Sequence, residues 1–549
     1  MSLRVLLAVN VGFLLLNSRA GIAGDSRPDI VLIMMDDMGF SDIGCYGSEI
    51  RTPHIDSLAA GGVRFTQFYN AGRCCPTRAA LLTGLYPHQA GIGYMEPTNK
   101  YNGPLVGRQG LEEYSGYLLP RTATIAECLK KAGYQTAMAG KWHVGHRDGQ
   151  RPTDRGFDEF FGIWGGACRF FNPKRHQIKL QDEPFWPRPD DFYTTDYFAK
   201  YAAKFVGEAK ADQPFFLYLA YTAPHWPLHA WPEDIAKYRG KYRDGWDVLR
   251  ESRMHRQREL GLFADDVTLS PRHEDSYDWS EADQDEMDLR MSAYAAMIDR
   301  ADQGLGRVLK ALEERGTRKN TLILFLSDNG GCAEPVGAEK KGVAGRRGSY
   351  VGYLLPWANA SNTPFRLFKH WVHEGGIATP LIANWPERIP HGYINHDQIG
   401  HVQDLLPTIL DAANAEALSR RDGVDVLPPE GQSLLPAMNS AGTSTNRRLF
   451  WEHEGNRAVR DGRWKLVSYY NEVHEEGSVV GTGPRTGAWE LYDLRTDRTE
   501  LNDIAAQQPE LVAELSKAYT TWADRCGVED WEKLLAIGGY DQFEKDVPK

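Results

Sequence analysis

The amino-acid sequence predicts an α/β protein: a large, mostly parallel sheet flanked by helices, followed by a smaller C-terminal α+β unit with an antiparallel sheet. Three features carry that expectation. Several short apolar runs end abruptly in polar residues, helical patterns lie between them, and from about Thr443 the chain shifts to short alternating, aromatic strands. Strands buried on both faces of a parallel sheet are apolar throughout and present polar groups at their carboxyl ends, which accounts for the first pattern. Helices between such strands supply the crossovers that parallel pairing requires.

The first element, Asp29 to Met35, reads as a buried strand that stops at Asp36-Asp37. A helix from Pro76 through Leu82 follows, with Cys74 just outside its N-terminus, because proline suits a first turn whose N–H groups lack intrahelical partners. Those free N–H groups and the positive end of the helix dipole favour an anion there. Thr122 is the expected N-cap of a helix that puts Ile125, Cys128 and Leu129 on one face and ends at Gly133. Phe215 to Tyr221 is a second buried strand, ending before Pro224-His225, and Thr321 to Leu326 is a third, running into Ser327-Asp328-Asn329-Gly330-Gly331. Between these two, Met291, Tyr294, Ile298, Leu305, Val308, Leu309 and Leu312 mark a long helix that stops at Gly316. Two stretches of weak periodicity, 236–286 and 334–363, are expected to be surface insertions of the kind that set substrate selectivity. The C-terminal unit, residues 443–549, should hold strands at Leu449 to Trp451, Arg463 to Tyr470 and Ala488 to Tyr492, then a helix from Pro509 to about Arg525.

A chain of 549 residues exceeds what one hydrophobic core usually organises, and its apolar and charged fractions of 42% and 25% are those of a globular protein. Arg4, the apolar run Val5 to Leu16 and the small residues that follow form a signal-peptide pattern over residues 1–23. The protein is therefore expected to be exported, to the periplasm, the cell surface or the medium, with its catalytic unit spanning 24–442. The apolar run is shorter than the ~20 residues of a spanning helix, so no membrane span is expected. Loss of the leader removes Arg4 and Arg19 and no acid, taking the net charge from −11 to −13 and excluding a nucleic-acid footprint. An acidic protein that acts on anions must concentrate its cations in one pocket. Seven cysteines are too few for a disulfide scaffold and their spacing does not define pairs, while Asn359-Ala360-Ser361 is the single glycosylation sequon.

Two acid-rich pairs stand directly after apolar strands: Asp36-Asp37 and Asp328-Asn329. Their carboxylate and amide oxygens are hard donors with no soft ligand among them, which suits one divalent cation, Ca²⁺ in preference to Mg²⁺. The run Cys74-Cys75-Pro76-Thr77-Arg78-Ala79-Ala80-Leu81-Leu82-Thr83-Gly84 resembles the first signature of the type I, formylglycine-dependent sulfatases, with arylsulfatases the nearest in kind. Only Cys74 is in register with Pro76 and Arg78; Thr77 replaces the more frequent Ser. Far along the chain, Gly133-Tyr134-Gln135-Thr136-Ala137-Met138-Ala139-Gly140-Lys141-Trp142-His143 resembles the second signature over its full length.

The resemblance implies an alkaline-phosphatase-like sandwich and a maturation enzyme that oxidises Cys74 to formylglycine. It implies that Asp36, Asp37, Asp328, Asn329 and the modified Cys74 hold the cation, that Lys141 and Lys369 bind sulfate oxygens, and that His225 stands near the leaving oxygen and His143 near formylglycine. The expected reaction is hydrolysis of an aryl or carbohydrate sulfate ester. The cation and Arg78 would stabilise one hydroxyl of the aldehyde hydrate as the nucleophile, with Asp328 as proton acceptor. Lys141 and Lys369 would neutralise the sulfuryl oxygens and His225 would protonate the leaving oxygen. The second hydroxyl, deprotonated by His143, would re-form the aldehyde and expel sulfate. Two other readings share these motifs: a phosphonate monoester hydrolase or phosphodiesterase of the same superfamily, and a non-catalytic exported glycan-binding homologue. The aromatic segments 226–246 and 350–371, together with Trp451, are candidates for a wall around a sugar or aryl group.

Overall fold

The computed structural model describes residues 27–95, 111–338, 342–389, 392–439, 447–470, 472–473, 479–480 and 487–536. The leader expected at 1–23 and the unit boundary at 442/443 lie outside these residues. Among the described residues, no helix is long and apolar enough to cross a membrane.

A ten-stranded sheet forms the frame. Its members in chain order are β1 (Asp29–Asp36), β2 (Val63–Phe65), β3 (Gln135–Lys141), β4 (Glu159–Ile163), β5 (Lys179–Leu180), β6 (Glu183–Pro184), β7 (Phe215–Pro224), β8 (Thr321–Ser327), β9 (Leu381–Asn384) and β10 (Tyr393–Asn395). Across the sheet they run β10-β2-β9-β8-β1-β7-β3-β4-β5-β6. The central run β8-β1-β7-β3-β4 is parallel, and antiparallel pairs flank it at β9 and β5. Strand β1 shows why these sequences are apolar throughout. Val31, Ile33 and Met35 enter the core on one face, while Ile30, Leu32 and Met34 enter the core on the other. Successive side chains of a strand point to opposite faces, so a strand sandwiched between two helical layers needs apolar residues at every position.

The three strands foreseen in the sequence are present, each one to three residues longer at its carboxyl end. The long helix spans Gln284–Arg315 and ends on Gly316, whose φ of 80° is the left-handed conformation a glycine tolerates without strain. Two local expectations need correction. The helix Ile125–Lys131 is capped by Thr124, not Thr122: the Thr124 hydroxyl accepts from the Glu127 N–H and the Glu127 carboxylate accepts from the Thr124 N–H. The helix bearing the first signature spans Cys74–Thr83 with Arg73 as its N-cap residue, so Cys74 lies inside its first turn. Pro76 is then its third residue, where the missing N–H still costs no intrahelical bond.

The stretch 236–286 is mostly exposed, as expected of an insertion, but both it and 334–363 also send side chains into the core. The first contains a helix, Gly245–Glu259, that buries Trp246 and sends Arg253 inward to Asp42 at 2.6 Å and Glu49 at 2.9 Å. The second contains the helix Leu354–Ser361, where the Trp357 indole donates to the Met287 carbonyl at 3.0 Å. Asn359 of the sequon is buried in that helix and accepts from the His273 N–H. All seven cysteines are free and buried.

A four-stranded antiparallel sheet follows, built from β11 (Arg448–His453), β12 (Asn456–Asp461), β13 (Trp464–Ser468) and β14 (Trp489–Asp493), with the helix Pro509–Cys526 packed on it. The strand β12 was not foreseen, because Asn456-Arg457 and Arg460-Asp461 interrupt its apolar pattern. Buried charges tie this sheet to the helix Glu374–Ile377, which leads into β9. Lys465 of β13 lies 2.9 Å from Glu374 and 2.8 Å from Glu500, with all three side chains fully buried, and Glu374 also accepts from the Tyr69 hydroxyl. Arg498 adds a second cation to Glu374. Removing one member of such a group strands buried charge. Lys465→Met is therefore expected to destabilise the protein by about 3 kcal/mol or more, read as a lower denaturant midpoint; an unchanged midpoint would show that the cluster does not hold the C-terminal sheet to that helix.

Candidate active site

Four adjacent parallel strands end on one side of the sheet, and each delivers a polar residue there. β1 ends at Asp36 and is followed by Asp37; β8 is followed by Asp328 and Asn329; β3 ends at Lys141; β7 is followed by His225. The register between β1 and β7 shifts between Met34 and Asp36, the kind of irregularity that re-aims side chains at a strand end. Asp37 has a φ of 66°, and the Tyr294 hydroxyl donates to its carbonyl at 3.1 Å. The same hydroxyl lies 2.7 Å from Asp42, so its single proton is shared between the two acceptors, and Asp42 in turn is held by Arg253. The helix inserted at 245–259 thus braces the backbone of Asp37 from behind. A Cβ on Gly330 would sit 2.0 Å from the Gly375 carbonyl, so glycine is needed where the turn after Asn329 crosses the loop that carries Lys369.

All the residues expected at the site converge, and all are buried; His225 is the most exposed, at 6%. Three carboxylates face three cations. Asp36 accepts from Lys141 Nζ at 3.0 and 2.9 Å. Asp328 Oδ2 accepts from Arg78 Nε at 3.1 Å and Nη2 at 2.6 Å, and Arg78 Nη1 donates to the Lys141 carbonyl at 2.9 Å. Asp37 lies 3.0 Å from Lys369 Nζ and 3.5 Å from His225 Nε2, and accepts from Asn329 Nδ2 at 2.7 Å. Cys74 lies in the same cluster: its sulfur and one oxygen each of Asp36 and Asp328 fall within 4.8 Å of one another.

The electrostatics follow from this crowding. Burial pushes the Asp36 carboxyl well above its ordinary value, against the pull of Lys141. Burial acts on Asp37 in the same direction, but Lys369 and then His225 outweigh it and hold that carboxyl below the ordinary range. Burial also raises the Cys74 thiol to about 11. Burial pulls His225 down to about 4, against Asp37. His143 is held well below its ordinary value by burial and then by Lys141 and Arg78, so its ring is neutral. The His225 Nδ1–H donates to the Trp226 carbonyl at 2.6 Å, which leaves Nε2 directed into the site.

The donor set fits a hard divalent cation. Three carboxylates converge and the Asn329 Oδ1 is buried without a hydrogen-bond partner, so oxygen donors outnumber the one thiol and one imidazole, Cys74 and His225, that lie beside them. Both His143 ring nitrogens are likewise without hydrogen bonds.

Two neighbours were not foreseen. Arg73 and Glu334 lie 3.0 Å apart; Glu334 also lies 3.4 Å from Lys369 Nζ and accepts from the Trp226 indole N–H at 2.6 Å. Arg73 stood next to Cys74 in the sequence, but Glu334 lay in a stretch read as surface. Conversely, most of the aromatic wall is packing: Trp246 and Trp371 are fully buried and the Trp451 indole donates to the Asn70 carbonyl. A further buried group, His370, His453 and Glu454, has the composition of a metal site. Its hydrogen bonds argue otherwise. The Asn456 amide is oriented by accepting from the Tyr470 N–H and donating to the His453 carbonyl, so it donates to His370 Nε2. That puts the ring proton on Nδ1, which faces Glu454 at 3.4 Å, an arrangement in which the carboxylate partners the imidazole.

Comparison with known proteins decides the family. The family model described as Sulfatase matches residues 28–415. The chain belongs to the sulfatase family. A second model, N-sulphoglucosamine sulphohydrolase, C-terminal, matches residues 365–522 of this sulfatase. It is 36% identical to an uncharacterised sulfatase of Schizosaccharomyces pombe, over 92% of this chain and 95% of that protein. An arylsulfatase of Klebsiella aerogenes is 34% identical over 77% of this chain and 94% of its own length. Among solved structures, Ps i-CgsB in complex with k-i-k-neocarrahexaose superposes with a TM-score of 0.64 at 26% identity, covering 90% of this chain and 93% of that one. The enzyme is accordingly a sulfatase, with the alkaline-phosphatase-like fold expected.

If the carboxylate cluster holds a cation, binding must stabilise the fold. At a concentration about 100-fold above Kd the gain is about 2.7 kcal/mol, read as a higher unfolding midpoint. Asn329→Ala is expected to shift the midpoint-versus-cation curve to at least ten-fold higher concentration. Indifference of the wild-type midpoint to both cation and chelator would exclude the site.

Proposed function

We propose that this sulfatase removes sulfate from aryl or carbohydrate sulfate esters with formylglycine, formed from Cys74 by a maturation enzyme, as its nucleophile and with Ca²⁺ as its cation. The observation that carries this reading is the neutralised cluster itself: Cys74 at the head of a helix, three carboxylates with a free amide oxygen, and two lysines within one buried pocket. A thiol raised to about 11 would be a protonated, poor nucleophile, so conversion of Cys74 supplies what the unmodified residue lacks. Asp36, Asp37, Asp328 and Asn329 would hold the cation, which when bound supplies positive charge to activate the nucleophile and screen the ester.

The chain's own residues perform the remaining tasks. Arg78, fixed by two bonds to Asp328 and one to the Lys141 carbonyl, keeps the head of the helix in place and adds positive charge beside residue 74. Lys141 and Lys369, each donating to an aspartate, are placed to bind the sulfate oxygens and to stabilise charge on them in the transition state. His225, with Nδ1–H committed to a carbonyl, directs Nε2 at the leaving oxygen. Its ring is neutral at rest, so Nε2 must first take up a proton, which the Asp37 carboxylate 3.5 Å away favours, before it can protonate that oxygen. Neutral His143 is able to accept a proton from the second hydroxyl at residue 74. The N-terminal pattern supports export, and with the pocket's cations it supports a sulfated polysaccharide as the natural target of the catalytic unit at 24–442.

Intact-mass analysis of native protein is expected to show Cys74 converted to the lighter formylglycine; retention of the thiol in active enzyme would rule the nucleophile out. Cys74→Ser keeps one hydroxyl but lacks the second, so it is expected to give at most one turnover per site on a small aryl sulfate, and steady turnover would contradict the role assigned to the hydrate. Lys141→Ala or Lys369→Ala should lower kcat/KM by about 10²–10³-fold, as loss of one preorganised charge donor does.

A further inference from the structure

We infer that Trp226, Tyr350 and Arg169 form a glycan subsite beside the sulfate pocket, and that it takes a sulfated oligosaccharide carrying a second sulfate. The inference rests on the hydrolase reading above and narrows its substrate class. A continuous set of contacts leads outward from the pocket. Lys369 Nζ lies 3.4 Å from Glu334, and Glu334 accepts from the Trp226 indole at 2.6 Å. The Trp226 ring meets Tyr350 edge-on at 5.4 Å between centroids, and the Arg169 guanidinium lies 5.8 Å from the centre of the Tyr350 ring. Exposure rises along the same path: Lys369 is buried, Trp226 half-buried, and Tyr350 40% exposed, while Arg169 is exposed.

The chemistry of this path suits a sulfated sugar. Aromatic rings carry negative faces that attract the partly positive C–H face of a pyranose, and two rings at an angle give a bent, chiral surface. The Glu334 bond pins the indole, so little freedom is lost when a ligand docks on it. Arg169 makes no hydrogen bond or ion pair among the described residues, in a protein where most arginines near the site are matched to carboxylates. An exposed, unmatched guanidinium over an aromatic face is a seat for an anion, and the second sulfate of a polysulfated chain is the anion that would reach it. A simple aryl sulfate engages the pocket and ends before it.

The test uses formylglycine-verified wild-type enzyme and the variants Tyr350→Ala and Arg169→Gln. It compares kcat/KM on 4-nitrophenyl sulfate with kcat/KM on the best-cleaved member of a panel of singly and doubly sulfated galactan and glycosaminoglycan oligosaccharides. Tyr350→Ala is expected to lower the ratio of oligosaccharide to aryl activity by about ten-fold for singly and doubly sulfated chains alike. Arg169→Gln should lower it only for the doubly sulfated chain. Equal losses on every ester, an unchanged ratio in both variants, or no wild-type preference for a doubly sulfated chain over its singly sulfated counterpart would overturn the subsite while leaving the hydrolase reading intact. Absence of sulfate release from all the esters by verified enzyme would overturn both.

Discussion

The burial of three carboxylates at the ends of two neighbouring strands is the constraint on which the rest of this structure depends. Asp36, Asp37 and Asp328 are removed from water, and like charges at such distances cannot be stable alone. The protein answers each with a cation from a different part of the chain: Lys141 from the end of β3, two strands from β1, Lys369 from a loop, Arg78 from a helix. Fold and site are therefore specified together. Each strand must end where it does so that its charge meets its counter-charge, and each loop must return to the same end of the sheet.

That dependence accounts for how much could be read from sequence. The strands ending at Asp36, Ser327 and Pro224 were legible because a run that is apolar at every position and then breaks into paired acids or a proline–histidine step fits a buried strand that opens onto a polar site. The site residues were legible because their spacing in two signatures is local: Cys74 to Arg78 within one helical turn, Lys141 to His143 across one strand end. What escaped was non-local. Glu334 and Arg253 lie in stretches with weak periodicity, and such stretches look alike whether they face water or fold back onto the core. Their burial is decided by partners tens to hundreds of positions away, Asp42 and Glu49 for Arg253, Arg73 and Lys369 for Glu334. The capping error at Thr122 had a different origin: two threonines stand two residues apart, and only the Glu127 at the third helical position selects Thr124.

The buried ionic clusters of this protein separate into two kinds. At Lys465, Glu374 and Glu500, each charge has an opposite partner, and the arrangement ties the C-terminal sheet to the helix Glu374–Ile377 that precedes β9. In the sulfatase pocket the pairs coexist with unused hydrogen-bonding capacity at Asn329 Oδ1 and on both nitrogens of His143. Where such unused atoms stand among convergent carboxylates, a ligand can complete them.

Glu334 shows why an acid belongs among cations that bind an anion. Arg73 and Lys369 would repel each other and splay apart across the pocket mouth if nothing stood between them. A carboxylate within 3.0 Å of one and 3.4 Å of the other holds both heads in place before substrate arrives. Its second oxygen, taken by the Trp226 indole, transmits that placement to the turn that carries His225. One negative charge thereby makes the pocket slightly less attractive to an anion, yet it fixes Lys369 and the turn bearing His225, the groups proposed to bind sulfate and to serve the leaving oxygen, in a single geometry. In a transition state whose stabilisation depends on charges already in position, that exchange favours catalysis over tight binding of the ground state.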